Sequence, residues 1–316
     1  MYSYILIDTN NLYWRTVVSA FKNLQELDKL EKAEEYTALI VQNFFERVNQ
    51  IKNNYGLDDC KYYFLFDNPD SAITARKDIS WEYKHSRDTK RLPPIFYRVL
   101  EVIESLLEYY SNNFFLCKIK NLEADDLVYP ILKYSELNNN KKALVISVDM
   151  DWARAITEHV HWFNWTTLYT MDIFETEFGF SPKGKSIQMY KAIHGDSADQ
   201  IKNAIPGLPK EILLDIVQKF STIQELINNV WSSTYPKNWQ FKIKEAEVQM
   251  KINYKLADYI QFNNNPPLVH CKENIKTLKY WFKLLNIPLE SRMVDLENDD
   301  FFQAIPSKVR IINGNS

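Results

Sequence analysis

Cysteine and glycine are scarce in this chain of 316 residues, and each scarcity excludes something. The three cysteines, Cys60, Cys117 and Cys271, are odd in number and far apart, with no Cys-x-x-Cys pair. Neither a disulfide framework nor a zinc or redox motif is expected from them, and they read as small buried hydrophobes. No window approaches eighteen apolar residues, and the opening run Tyr4-Ile5-Leu6-Ile7-Asp8 reads as a strand entering polar residues, not as a signal segment. A soluble, cytoplasmic protein without a membrane partner is therefore expected. A Ser-His-Asp arrangement, a Walker-type loop and a Gly-rich dinucleotide signature are also missing. The five histidines, including His159 and His161, read as packing or surface residues. Only six glycines occur, and two of them, Gly195 and Gly207, lie within a dozen residues of each other. In so glycine-poor a chain these are positions whose backbone needs glycine.

A formal charge of −3 argues at first sight against a polyanionic partner, because phosphate binding is driven by Lys and Arg. The acids are not spread evenly, however. Nine of the 41 fall in a few short motifs, and the remaining 32 face 38 Lys and Arg, a balance of +6. That split suits a protein that commits carboxylates to metal and bases to phosphate.

With 46% hydrophobic and 25% charged residues the chain can bury a full core, and its length allows one catalytic domain with appendages or two domains. Short apolar runs ending in Asp alternate with helical patterns. Tyr4 to Asp8, Tyr62 to Asp67 and Ala143 to Asp149 read as strands; residues 33–54, 92–111 and 123–137 read as amphipathic helices. This rhythm predicts an α/β domain with a mainly parallel sheet, in which ligands bind beyond the carboxyl ends of the strands. From about Pro182 the strand signals stop and helices dominate. The expected division is therefore 1–180 for the α/β core, with a basic segment at about 70–98, and 181–316 for a helical subdomain and C-terminal helices.

The acids that matter are Asp8 in Ile7-Asp8-Thr9-Asn10, Asp67 after Phe66, Glu123, Asp125 and Asp126 in one run, Asp149 and Asp151, and Asp196 and Asp199 in Gly195-Asp196-Ser197-Ala198-Asp199. Each alone can be a helix cap or a favourable charge at a helix start. Together, so many carboxylates at strand ends call for a hard divalent cation, Mg²⁺ or Mn²⁺, since they would otherwise repel. Two such ions roughly 4 Å apart suit in-line hydrolysis of a phosphodiester.

This ordered series resembles that of the 5′-nucleases: flap endonucleases, bacteriophage 5′→3′ exonucleases and the 5′-nuclease domain of bacterial DNA polymerase I. The likeness covers roughly residues 1–225. It implies a PIN-like sheet flanked by helices, with a helical arch and a C-terminal helical DNA-binding subdomain of helix-turn-helix type. It further implies one metal at Asp8, Asp67, Glu123 and Asp125, a second at Asp149, Asp151 and Asp196, and Asp126 and Asp199 acting through water. Asp8, Asp67 and Asp149 would be catalytic in this sense.

Between Arg76 and Arg98 seven bases face three acids, with Trp81 and Tyr83 interleaved, a composition that fits either a strand-gripping element or a solvated charged helix. Within it Glu82-Tyr83-Lys84-His85-Ser86-Arg87 resembles the family pattern at the base of the arch. The likeness implies that Lys84 and Arg87 stabilise the scissile phosphate, that Tyr83 stacks on the terminal base and that Arg76 contacts DNA. The run Ile205-Pro206-Gly207-Leu208-Pro209-Lys210 resembles the family's duplex-holding element, with Gly207, Lys202 and Lys210 as phosphate contacts. The family has Gly-x-Gly here, often with a K⁺ site. Pro209 in this chain has no N–H to donate, which argues against one phosphate contact and against K⁺, although proline suits a first helical position.

The resemblance thus implies a 5′→3′ exonuclease and 5′-flap endonuclease acting on DNA with 5′ ends, flaps or nicks, and on RNA primers if the primer strand is accepted. Replication or repair would be its setting, in the host cytoplasm if it is phage-encoded, with a sliding clamp or single-strand-binding protein as a partner type. The competing readings are a junction-binding protein without catalysis and a PIN-type ribonuclease.

Overall fold

A computed structural model of the protein describes residues 2–20, 33–55, 60–68, 76–84, 94–134, 141–260 and 266–286. Two compact units are formed. The first comprises residues 1–12, 62–91 and 117–267, and the second 13–61, 92–116 and 268–316.

The first unit is built on strands β1 (Tyr2–Asp8), β2 (Lys61–Phe66), β4 (Lys142–Ile146), β5 (Val160–Phe163) and β6 (Leu168–Tyr169), in the spatial order β6-β5-β4-β1-β2. β1 pairs with β4 and β4 with β5 in parallel; β6 closes the edge antiparallel to β5. Ile5, Leu6, Ile7 and Ala143 to Ile146 are fully buried, as near-continuous apolar runs demand when both faces of a parallel sheet are covered. The mainly parallel sheet is as expected from the sequence, but one strand is shorter. β4 stops at Ile146, and Ser147 to Asp149 leave the sheet to cap a 3₁₀ helix over Met150–Ala155.

Helices α2 (Ala33–Tyr55), α3 (Pro94–Tyr110) and α4 (Ala124–Tyr134) follow the predicted amphipathic stretches closely, while α1 (Thr9–Ala20), directly after β1, is not among them. Further along lie α5 (Met171–Phe178), α6 (Ser186–His194), α7 (Lys210–Lys219), α8 (Ile223–Asn229), α9 (Lys237–Glu245) and α10 (Glu247–Leu256). α7 begins at Lys210 with Pro209 as its cap, one residue later than Pro209 as first helical residue would require. In the second unit α2 meets α3 through Phe45 and Tyr110, and α11 (Ile275–Leu284) through Phe45 and Phe282. There β3 (Phe114–Lys118) pairs antiparallel with β7 (Val269–His270), so strand structure does recur after Pro182. The three cysteines are free and buried, as expected. Among the described residues no helix is long and apolar enough to cross a membrane.

Candidate metal centre

Each acidic segment reaches the same edge of the first unit for a local reason. Asp8 ends β1 and accepts from the Asn11 N–H at 2.9 Å, so it caps the helix that follows. Asp67 follows β2; its Oδ1 accepts from the Ala124 N–H at 2.9 Å, capping α4 from another segment. Asn10 Oδ1 accepts the Asp67 N–H at 3.3 Å and ties the ends of β1 and β2 together. Ser147 Oγ donates to Asp8 at 2.7 Å and accepts from the Asp149 N–H at 3.1 Å, linking the ends of β1 and β4. Asp149 accepts from the Asp151 N–H at 2.9 Å, and Asp196 Oδ1 from Ala198 N–H at 2.9 Å. The capping and the clustering are therefore one arrangement, since a cap uses one of the several lone-pair sites of a carboxylate.

Electrostatics show the convergence. Burial, followed by the Asp67 carboxylate, pushes Asp8 up to about 7, with Asp149 adding to the effect. Burial, Asp126, Glu123 and Asp151 raise Asp125 well above the ordinary carboxylate range, against the pull of Arg76. Asp149 is raised by burial and by Asp151. Acids from residues 8 to 151 are thus linked pair by pair, Asp8 to Asp67 and Asp149, Asp149 to Asp151, and Asp151 to Asp125. Oxygens of Glu123, Asp125 and Asp126 lie within 4.8 Å of one another, a grouping able to hold a metal ion.

Buried cations offset part of this charge. Arg76 pairs with Glu123 and with Asp126 at 2.7 Å, and donates to the Asp258 carbonyl at 3.2 Å. Lys84 Nζ sits 2.5 Å from Glu123 and 3.5 Å from Asp199. Its backbone has φ +50°, a left-handed conformation costly for lysine, and its N–H donates to the Asp199 carbonyl at 3.2 Å. Burial lifts Asp199 to about 6, with Lys84 acting in the opposite direction. Lys191 Nζ lies 2.7 Å from both Asp151 and Asp196 and 3.8 Å from Asp149. Arg154 binds Asp151 at 2.7 Å, stacks over the Tyr259 ring and reaches the Ala257 carbonyl. Burial alone would raise Asp151, but Lys191 and Arg154 hold it below the usual carboxylate range. Among the described residues, Asp8 and Asp125 have no such ion pair. Two desolvated carboxylates left in this state fit a divalent cation as counter-charge.

Residues 3–179 match the family model of the 5′-3′ exonuclease N-terminal resolvase-like domain. The chain belongs to the 5′-3′ exonuclease family. It is an enzyme, a nuclease. A 5′-3′ exonuclease of Buchnera aphidicola is 26% identical over 264 residues, covering 80% of this chain and 85% of that protein. The flap endonuclease of Escherichia phage T5 is 29% identical over 163 residues, 47% of this chain and 53% of the phage protein. In fold, this family member resembles the T5 flap endonuclease solved as a pseudo-enzyme–product complex with DNA and metal ions, with TM-score 0.62 at 19% identity, covering 81% of this chain and 89% of that one. A T5 5′-exonuclease with bound zinc gives TM-score 0.61 at 20% identity, over 81% and 89% of the two chains.

Of the residues expected to meet DNA, Arg87 and much of the segment at about 70–98 lie outside the described residues. Arg76 is buried against the acids. Tyr83 is buried at 3% exposure; its ring packs with Ile201, Leu256 and Ala257, and its hydroxyl donates to Glu123 at 3.3 Å. Lys202 is exposed and paired with Glu82 at 2.7 Å. Gly207, at φ +77°, and Lys210 form the turn into α7. Reading the sequence missed Lys191, Arg154 and Tyr259. A signal existed for Lys191: it follows Ile187 and Gln188 by four and three residues on the buried face of α6, where a charge needs a partner.

Proposed function

We propose that the protein is a 5′→3′ exonuclease and 5′-flap endonuclease that hydrolyses DNA with the help of two divalent cations, Mg²⁺ or Mn²⁺. The observation that carries this reading is the meeting of Asp8, Asp67, Asp125 and Asp149 at one edge, with Asp8 and Asp125 lacking an ion-pair partner among the described residues. In this reading Asp8, Asp67, Glu123 and Asp125 hold one cation and Asp149, Asp151 and Asp196 the other, with Asp126 and Asp199 acting through water. Bound cations would supply Lewis-acid polarisation of the phosphodiester and activation of the attacking water.

The remaining work falls to side chains of the chain itself. Lys84, held against the acidic group by Glu123 and Asp199, can exchange these partners for a phosphoryl oxygen as charge builds there. Arg87 would act with it. Ser147 and the caps keep Asp8 and Asp149 from turning away. The turn at Gly207 and the start of α7, with Lys210, would hold the duplex by its backbone.

The test is incubation of the purified protein with 5′-flap DNA, nicked duplex and an RNA-primed duplex, each with Mg²⁺ or with chelator. Metal-dependent release of product from the flap and the nick is expected. Cleavage of RNA alone, or binding without any cleavage, would overturn the proposal.

A further inference from the structure

We propose that Trp81 is a stacking platform for one unpaired nucleobase of the DNA; the inference rests on the DNA-cleaving reading above and names a contact it lacks. Among the described Phe, Tyr and Trp residues none is more exposed than Trp81, at 68%. Tyr83, the ring that the family likeness designates for stacking, is buried and committed to the core. The stacking surface on this turn therefore belongs to the indole two residues earlier.

Its surroundings are built and held. The turn is closed by Ile79 and Ser80 N–H groups to the Arg76 carbonyl and by Tyr83 N–H to the Ser80 carbonyl, all at 3.1 Å. It is pinned to the acidic loop at 196–202 by the Lys84 N–H to Asp199 bond, by Tyr83 on Ile201 and by the Lys202–Glu82 ion pair. An aromatic on so fixed a turn loses little freedom on binding. Trp81, Glu82, Gln200, Ile201 and Lys202 line a cavity of about 360 Å³.

The chemistry of that cavity favours a base over a phosphate. Lys202 and Glu82 cancel in charge, so no net cation awaits an anion. They place polar groups without net charge beside an apolar ring. A nucleobase is flat and uncharged, with donors and acceptors at its edge, and only an unpaired base can give up a face to a side chain. Location agrees: Trp81 precedes Lys84 by three positions, at most about 11 Å of chain. A base held on Trp81 belongs to the strand that enters the acidic centre.

The experiment compares the full chain with its Trp81→Ala and Trp81→Phe variants, in Ca²⁺, on duplex DNA with a 5′ single-stranded extension, on the same duplex with an abasic extension and on blunt duplex. Trp81→Ala is expected to weaken binding of the intact extension about tenfold, within the range for one base–aromatic stack, and Trp81→Phe to retain most of it. Blunt and abasic DNA should bind all three proteins alike. Unchanged affinity of Trp81→Ala for the intact extension, or an equal loss on all three DNAs, overturns the inference while leaving the nuclease reading standing. Failure of the unaltered protein to bind any of the DNAs overturns both.

Discussion

Residues in this site hold two positions at once. Asp149 caps a 3₁₀ helix with one oxygen, and an amide oxygen can accept the same N–H. Asp149→Asn is therefore expected to keep the local fold and to abolish turnover with DNA affinity largely retained, as read by parallel cleavage and binding assays. Cleavage at the unaltered rate would remove Asp149 from the mechanism. Lys84→Ala should lower the cleavage rate on the order of 10²-fold with a modest loss of binding, if its cation acts on the transition state. Lys191 presents the opposite case. Its removal leaves Asp196 without its buried counter-charge and Asp151 with Arg154 alone, a loss of up to about 3–5 kcal/mol. Lys191→Met should melt roughly 5–10 °C lower in chelator, with divalent cation restoring more than it adds to the unaltered protein. A melting temperature that ignores the substitution would mean that the lysine is not the counter-ion it is taken to be.

At the level of elements, the loop after α6 depends on one glycine. Gly195 has φ +80°, and a Cβ there would lie 2.6 Å from the Asn203 nitrogen and the Ile201 carbonyl oxygen. That close approach lets Asp196 and Ile201 bond to each other, which presents Asp196 to Lys191. Gly207 shares the left-handed backbone, but a Cβ added there would meet no atom within 4 Å. Gly195→Ala is expected to destabilise clearly more than Gly207→Ala, which bears only the conformational penalty of about 1 kcal/mol. Thermal melts of both variants decide this; equal effects would mean that the loop yields easily.

For the whole molecule, the acidic centre makes stability depend on pH and on cation. Asp8 and Asp199 have folded values, about 7 and about 6, above their ordinary 3.8. A carboxyl raised in this way favours the fold while protonated there, below about pH 4, and that contribution is lost as pH rises through 6 to 7. Asp151 runs the other way, favouring the fold above pH 4 and losing its contribution on acidification. In chelator, melting temperature should therefore fall between pH 5 and 7.5, Asp8→Asn should flatten the decline, and divalent cation at pH 7.5 should reverse it. A decline that is the same in Asp8→Asn and indifferent to cation would break the link between these acids and metal.

Much of this was determined by the sequence alone. Apolar runs ending in Asp specify parallel strands whose carboxyl ends carry acids, because local periodicity is a property of the chain, and the ordered series of acidic motifs resembles that of the family whose model residues 3–179 match. Glycine scarcity likewise marks Gly195 and Gly207, whose positive φ only glycine adopts without strain. What partners those acids was decided in three dimensions. Lys191 and Tyr259 come from segments with no motif, and Tyr83 turns inward while Trp81 turns outward although both sit on one short basic stretch. Desolvation and pairing of charge depend on which segments pack together, and no short-range pattern encodes that choice.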